Sequence, residues 1–161
     1  MKRILCFGDS NTWGYSPANG ARFPSDIRWT GVLQKTLGAS YRVIEEGLNG
    51  RTTFINEQGE DARPFRSGSD VLPFLLESHR PLDLVTIMLG TNDLKVEFDL
   101  SVEEIAQGAK DLCEMVLNSE YLAENPPQIL LISPTLIGST IMPDEEQFFE
   151  QAREKSLQFA G

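Results

Sequence analysis

Three short polar segments of the chain carry residue types that can perform chemistry together. They are residues 8–12 (GDSNT), 47–53 (GLNGRTT) and 90–93 (GTND). Each directly follows a run of apolar residues that predicts a β-strand. Because the carboxyl ends of parallel strands share one edge of a sheet, ligands bind outside that edge. We therefore expect the three segments to meet and to act on one substrate.

The segments contain the groups that an acyl-transfer site needs. Ser10 supplies a hydroxyl nucleophile, Gly50 a backbone N–H that a substrate can approach closely, and Asn92 a side-chain amide. The two donors would stabilise an oxyanion, an effect of about 3–4 kcal/mol per donor. Each segment also has a plainer interpretation, as a turn, a helix cap or an uninformative pair of glycines. Their occurrence at adjacent strand ends favours the catalytic interpretation.

Apolar patterning predicts the elements that position these segments. Strands are predicted over residues 2–7, 41–46, 82–89 and 128–133. Helices are predicted over 26–37 with Asp26 as N-cap, from Asp70 to about Arg80, from the capping box Ser101-Val-Glu-Glu104 through Leu117, and from Asp144 to Gly161. The alternation of strands and helices predicts a doubly wound parallel sheet, flavodoxin-like and three-layered α/β/α, in the order 2-1-3-4.

The same segments resemble the sequence blocks of a known enzyme family. FGDSNTWG (7–14), IEEGLNGRTT (44–53) and MLGTND (88–93) resemble the first three blocks of the GDSL, or SGNH, hydrolases, with RWTGVL (28–33) similar to the bacterial arylesterase and acyltransferase branch. The resemblance implies that Ser10 is the nucleophile and that Gly50, Asn92 and the Ser10 backbone N–H form the oxyanion hole. It implies a serine esterase or acyl-transfer hydrolase that acts on small carboxylic esters, with water or an alcohol as acceptor.

The family's fourth block, an Asp-x-x-His that supplies the base and its orienting carboxylate, has no counterpart in this chain. By the resemblance we interpret residues 1–161 as a single SGNH-hydrolase-like domain that is C-terminally incomplete. The fifth strand is then absent from the chain, and the His and Asp are expected beyond residue 161. The one histidine, His79, is expected on the surface at the amino edge of the sheet, ~20 Å from the Ser10 edge at ~3.3 Å per residue.

Other residues near the predicted site have open interpretations. Trp13 either walls an acyl or aromatic pocket or packs beneath the loop after the first strand. Leu136 and Ile137 follow the fourth strand and are candidates for lining the acyl pocket. Asp9 is expected to accept hydrogen bonds from backbone amides at a tight turn rather than to act as a base. Arg51 either positions a substrate or pairs with a neighbouring glutamate.

Composition disfavours several classes of protein. A formal net charge of -10 repels phosphate backbones and anionic lipid, so neither nucleic acid nor a membrane is an expected partner. Two cysteines fit a reduced compartment, and we predict a cytoplasmic protein. With one histidine and no Cys/His cluster, no metal site is expected. The resemblance implies no cofactor and a small ester substrate, and because the family forms homo-oligomers, a homo-oligomer is an open alternative.

Two rival functions belong to other classes. The first is a flavodoxin-like phosphate or flavin binder, whose loop after the first strand would cradle phosphate through backbone amides. In that case Gly50 and Asn92 would have no purpose, and the purified protein would be yellow if it bound flavin. The second is a non-catalytic fragment of an esterase that keeps the three segments at the strand ends and lacks the base.

Overall fold

The fold is built on a parallel sheet with the strand order β2-β1-β3-β4. The computed structural model describes residues 1–138, 148–149 and 151–159. The strands are β1 (Lys2–Gly8), β2 (Tyr41–Gly47), β3 (Leu84–Met88) and β4 (Gln128–Leu131). From the central β1 the chain passes first to β2 on one side and then to β3 and β4 on the other. This order confirms the predicted doubly wound sheet and its switch point between β1 and β3.

Helices cover both faces of the sheet. They are α1 (Ser10–Trp13), α2 (Trp29–Leu37), α3 (Gly68–His79), α4 (Val102–Leu117) and α5 (Ala152–Ser156). The buried side chains of α3 and α4 pack into one core with Phe7 and Ile44 of the sheet. The neighbouring Glu45 accepts hydrogen bonds from Arg28 and Thr30, which places α2 on the opposite face because successive strand side chains alternate.

The start of α2 differs from the sequence prediction. We expected Asp26 to cap this helix, but it begins at Trp29, after an Arg28 with extended backbone. Arg28 is held extended because its guanidinium donates to the Phe23 carbonyl at 2.7 Å and to Glu45 Oε2 at 2.7 Å. Residues 24–28 form a turn instead, in which the N–H of Arg28 donates to the Pro24 carbonyl.

The caps of α3 and α4 follow the rule that a side-chain oxygen accepts from an unpaired N–H of the first turn. In α3 the cap is Ser67, which accepts from the Asp70 N–H, so Asp70 lies inside the first turn rather than at the predicted cap. The capping box of Ser101 and Glu104 at α4 is confirmed with both of its hydrogen bonds.

The predictions near the end of the chain have mixed outcomes. β4 ends at Leu131 rather than at residue 133. A three-layer fold would bury β4 on both faces, but Leu130 and Leu131 are each 50% exposed. Among the described residues, the burial expected for β4 is therefore incomplete. Helix α5 begins at Ala152 and packs in a second apolar cluster with Leu94. The predicted helix start at residues 144–146 lies outside the described residues.

Candidate active site

The three polar segments meet at one cleft of about 790 Å³ at the carboxyl edge of the sheet. Ser10, Gly50 and Asn92 all line this cleft. They do so because their strands end level with one another, with Gly8 of β1 in register with Gly47 of β2 and with Met88 of β3. The predicted convergence of the three strand ends is what the structure shows.

Ser10 is the first residue of a single helical turn, α1. Asp9 precedes it as the N-cap, and its Oδ1 accepts from the Asn11 N–H at 2.8 Å. A side chain at Gly8 would place a Cβ 2.1 Å from Thr12 Oγ1, so only glycine lets α1 fold back against the end of β1. This tight turn presents the hydroxyl of Ser10 to the cleft.

A buried arginine joins the second segment to the first. The Arg51 guanidinium donates to the Gly8 carbonyl at 3.0 Å and also to the Glu46 carbonyl. It lies over the Phe7 ring at 4.3 Å from the centroid, and burial lowers its pKa to about 10. Arg51 therefore pairs with backbone oxygens rather than with the carboxylate of a neighbouring glutamate, and it does not line the cleft. Its two bonds fix the position of the adjacent Gly50.

Hydrogen bonds of two residues, Asn92 and Asp93, join the third segment to the second. The Asn92 amide donates through Nδ2 to the Arg51 carbonyl at 3.0 Å, and both residues are buried. Asp93 accepts from the Thr53 N–H at 2.9 Å and from the Thr53 hydroxyl. An amide nitrogen carries two hydrogens. The bond from Asn92 Nδ2 to the Arg51 carbonyl uses one of them and orients the Asn92 side chain, which leaves the second hydrogen free for a ligand.

A group of charged residues forms another part of the cleft wall, and sequence reasoning missed it. Glu57, Arg63 and Lys95 all line the cleft. Glu57 accepts from Arg63 Nε at 2.9 Å, from Arg63 Nη2 and from Lys95 Nζ at 3.0 Å. The hydrogen bonds from Arg63 hold the pKa of the Glu57 carboxyl at about 2. The only sequence signal was the mixed charge of a loop, which does not specify these pairs.

Comparison with known proteins assigns the chain to a family. A sequence model of the GDSL-like lipase/acylhydrolase family matches residues 6–158. The chain belongs to this family. No curated protein sequence matches it significantly. As a member of the family, the chain is a carboxylic-ester hydrolase of the GDSL type.

Solved structures of similar proteins share this fold. The native aryl esterase of M. smegmatis is 43% identical with a TM-score of 0.91, over 99% of this chain and 76% of that one. A carbohydrate acetylesterase family member from Sinorhizobium meliloti is 38% identical with a TM-score of 0.93, over 99% of this chain and 75% of that one. Est24, a carbohydrate acetylesterase from the same organism, is 41% identical with a TM-score of 0.91, over 100% of this chain and 77% of that one.

Apolar residues line another part of the hydrolase cleft. Leu136 and Ile137 are among them, as the sequence predicted, together with Phe148 and Phe149. Trp13 is not. Its carbonyl accepts from Arg22 Nε at 2.7 Å, and the Arg22 guanidinium lies 5.4 Å from the centroid of its ring. Of the two interpretations of Trp13, the structure favours packing beneath the loop.

The single histidine of the hydrolase does not line the cleft. His79 closes α3, and its Nε2 lies 2.8 Å from Glu46 Oε1. Glu46 is the second-last residue of β2, and the His79 side chain is 25% exposed. His79 is therefore a half-buried partner of β2, and the expected position on the surface at the amino edge of the sheet is wrong for its side chain. Lys95 lines the cleft, and its Nζ donates to Glu57 Oε1 at 3.0 Å.

The described residues lack two other kinds of feature, a metal-binding cluster and a membrane-spanning helix. Within that part of the chain no group of three or more His, Cys, Asp and Glu side chains could hold a metal ion. No helix in the same ranges is both long and apolar enough to cross a bilayer.

Two buried carboxyls beside the site have raised pKa values. Burial raises the pKa of Asp9 to about 6, against hydrogen bonds from Asn11 that lower it. Burial also raises the pKa of Asp93, against the hydrogen bonds from Thr53. Asp9 accepts hydrogen bonds from Asn11, as predicted for a tight turn, and it does not line the cleft. Both carboxyls are thus placed to position the loops rather than to contact a substrate.

We predict that Asp9 makes stability depend on pH. An unfolded aspartate titrates near pH ~3.9, so the folded chain binds this proton more tightly. The contribution of Asp9 to stability is therefore largest below about pH 4 and is lost as the pH rises to about 6. Asp9→Asn keeps an oxygen for the Asn11 N–H, and relative to the native chain it should gain about 2 kcal/mol between pH 4.5 and pH 8.

Urea unfolding of both proteins at the two pH values measures this difference. Asp93 titrates in the same direction in both proteins, so its contribution cancels in the comparison. An equal difference in unfolding free energy at pH 4.5 and pH 8 would show that Asp9 is ionised at its ordinary pKa.

Proposed function

We propose that this protein hydrolyses small carboxylic esters through an acyl-enzyme formed on Ser10. The observation that carries the proposal is a set of unused donors in the cleft. Among the described residues, neither the Ser10 N–H nor the Gly50 N–H donates to a protein acceptor, and Asn92 Nδ2 has one hydrogen left. Donors that are fixed in place but unpaired are what an oxyanion hole requires.

The reaction would proceed in two acyl-transfer steps. Ser10 Oγ attacks the ester carbonyl and loses its proton to a base, while the carbonyl oxygen becomes negative and accepts from the three donors. Collapse of this intermediate breaks the bond to the alcohol, which leaves with a proton, and the acyl group stays on Ser10. Water, or a second alcohol in the acyltransferase case, then attacks the acyl-enzyme by the same route and frees Ser10.

The base is proposed to lie outside the 161 residues. His79 pairs with Glu46 and does not line the cleft, and Lys95 is paired with Glu57. The family resemblance implies an Asp-x-x-His segment, with the imidazole as base and the carboxylate as its orienting partner. This chain matches 76% of the similar aryl esterase, so about a quarter of that protein has no counterpart here.

The size and lining of the cleft support a small ester as substrate. A volume of about 790 Å³ lies within the usual range for small-molecule sites. Leu136 and Ile137 offer an apolar surface for an acyl chain. The similar structures are described as an aryl esterase and as carbohydrate acetylesterases. Short acyl groups such as acetyl are therefore the first substrates to test.

Covalent labelling tests the proposed nucleophile directly. The full-length protein, with any residues that its gene encodes after Gly161, is treated with a fluorophosphonate and its intact mass is measured. We expect one adduct, mapped by peptide sequencing to Ser10, and none in Ser10→Ala. Ser16→Ala serves as the matched control, because Ser16 is a buried serine of the following loop that does not line the cleft. Labelling at another serine, or no labelling, would contradict the proposal.

A further inference from the structure

The charged part of the cleft wall is built around one clamped arginine. Glu57 binds Arg63 through both of its carboxylate oxygens, and its side chain is only 9% exposed. Paired N–H donors on a carboxylate fix a guanidinium in one plane. The remaining terminal nitrogen, Nη1, donates to no described residue. The Glu57 carboxylate therefore orients the Arg63 guanidinium, and the Nη1 edge of the guanidinium stays free for a ligand.

Arg63 lies directly against the residue that supplies a proposed oxyanion donor. A Cβ added to Gly50 would fall 2.2 Å from Arg63 Nη2 and 2.9 Å from Nη1. Glycine at this position therefore leaves the space that the guanidinium occupies. The bond of Glu57 to Lys95, three residues after Asn92, ties the same cluster to the other donor segment. Any ester whose carbonyl reaches Gly50 must pass close to Arg63.

The charges of the wall decide which kind of ligand it suits. The lining holds two cations, Arg63 and Lys95, and three carboxylates, those of Glu57, Asp61 and Glu97. An anionic ligand gains little from a wall with this balance. A purely apolar group would desolvate these charges without replacing their hydrogen bonds. A hydroxyl both donates and accepts, so a neutral, hydroxyl-rich group can satisfy cations and carboxylates alike.

We propose that Arg63, clamped by Glu57, forms a subsite for the hydroxyl-bearing portion of the ester. The proposal rests on the proposed ester-hydrolase function and names its substrate class, esters of polyhydroxylated alcohols. Arg63 Nη1 donates to a substrate hydroxyl, and Asp61, which is exposed on the same wall, accepts from another. The apolar residues Leu136 and Ile137 are left to contact the short acyl chain.

Binding of two matched amides tests the subsite without turnover. The ligands are 3-acetamidopropane-1,2-diol, the amide analogue of glyceryl monoacetate, and N-propylacetamide, which lacks the hydroxyls. Dissociation constants are measured by NMR titration of the full-length protein in a Ser10→Ala background. We expect the diol to bind at least about ten-fold more tightly, and Arg63→Met to reduce this ratio about ten-fold, as for loss of a hydrogen bond to a charged group.

The controls separate recognition from folding. Arg42→Met removes an exposed arginine of β2 that does not line the cleft, and it should leave the ratio unchanged. Asp61→Leu leaves the Glu57 clamp intact and should lower the ratio several-fold even if Arg63→Met fails to fold. Equal binding of both amides by the parent protein, or weakening of both alike in Arg63→Met, would overturn the subsite. Failure of the ester-hydrolase proposal would appear separately, as absence of Ser10 labelling.

Discussion

The 161-residue chain is expected to hydrolyse 4-nitrophenyl acetate slowly at pH 8, and an extended form that carries the Asp-x-x-His segment implied by the family resemblance should be at least about 1,000-fold faster. A serine hydroxyl is a weak nucleophile unless a base removes its proton. No histidine lines the cleft, and the ammonium of Lys95 is paired with Glu57. The oxyanion donors alone leave only the residual catalysis that triad enzymes retain without their base.

Two variants identify the source of the gain. In the extended protein Ser10→Ala should abolish it, because the other members of a triad contribute little once the nucleophile is lost. His79→Ala should leave it intact, since His79 pairs with Glu46 outside the cleft. Initial rates on the same ester give the comparison. If the short chain already matches the extended one, a base exists within residues 1–161 and the proposed C-terminal His and Asp are wrong.

The sheet and the convergence of the site could be predicted from sequence because both depend on strong, short-range patterns. Apolar runs mark strands, and the right-handed crossover rule leaves few ways to order them. The turn residues that follow each run then fall at one edge of the sheet. Ser10, Gly50 and Asn92 therefore share a cleft, as their positions after three strands predicted.

Local structure with no periodicity was missed. The turn α1 has four residues, too few to show a helical repeat, and its residues are common in turns. The start of α2 was misplaced because Asp26 has the chemistry of a cap, whereas the bonds of Arg28 to Phe23 and Glu45 decide the backbone there. A tertiary ion pair outweighed a local preference of about 1 kcal/mol.

The charged wall could not have been predicted at all. Glu57, Arg63 and Lys95 are brought together by the path of residues 54–66, for which the sequence gives only a loop. Their interaction depends on side-chain positions rather than on a repeat or motif. Trp13 shows the same dependence on side-chain position. Its place three residues after Ser10 was compatible both with lining the cleft and with packing beneath the loop.

Asn92→Ala is expected to lower kcat by about 100- to 1,000-fold with little change in KM, the loss typical of one oxyanion donor. The Asn92 amide is held by its bond to the Arg51 carbonyl at 3.0 Å, so the direction of its second N–H is fixed. This donor therefore needs little reorientation when negative charge develops on the carbonyl oxygen of the ester. Alanine removes that donor and leaves the buried Arg51 carbonyl unpaired. The variant should therefore also lose about 1–3 kcal/mol of stability, which thermal unfolding will register.

The form of the protein that is active on 4-nitrophenyl acetate is used for this comparison, at a temperature well below the unfolding transition of the variant. Asn118→Ala is the matched control, because Asn118 is an exposed asparagine at the end of α4, and both of its kinetic constants should stay unchanged. A donor that acts only on the oxyanion contributes in the transition state and not in the bound ester, so the loss must appear in kcat. A rise in KM with unchanged kcat would place Asn92 in ground-state binding instead and would remove it from the oxyanion hole.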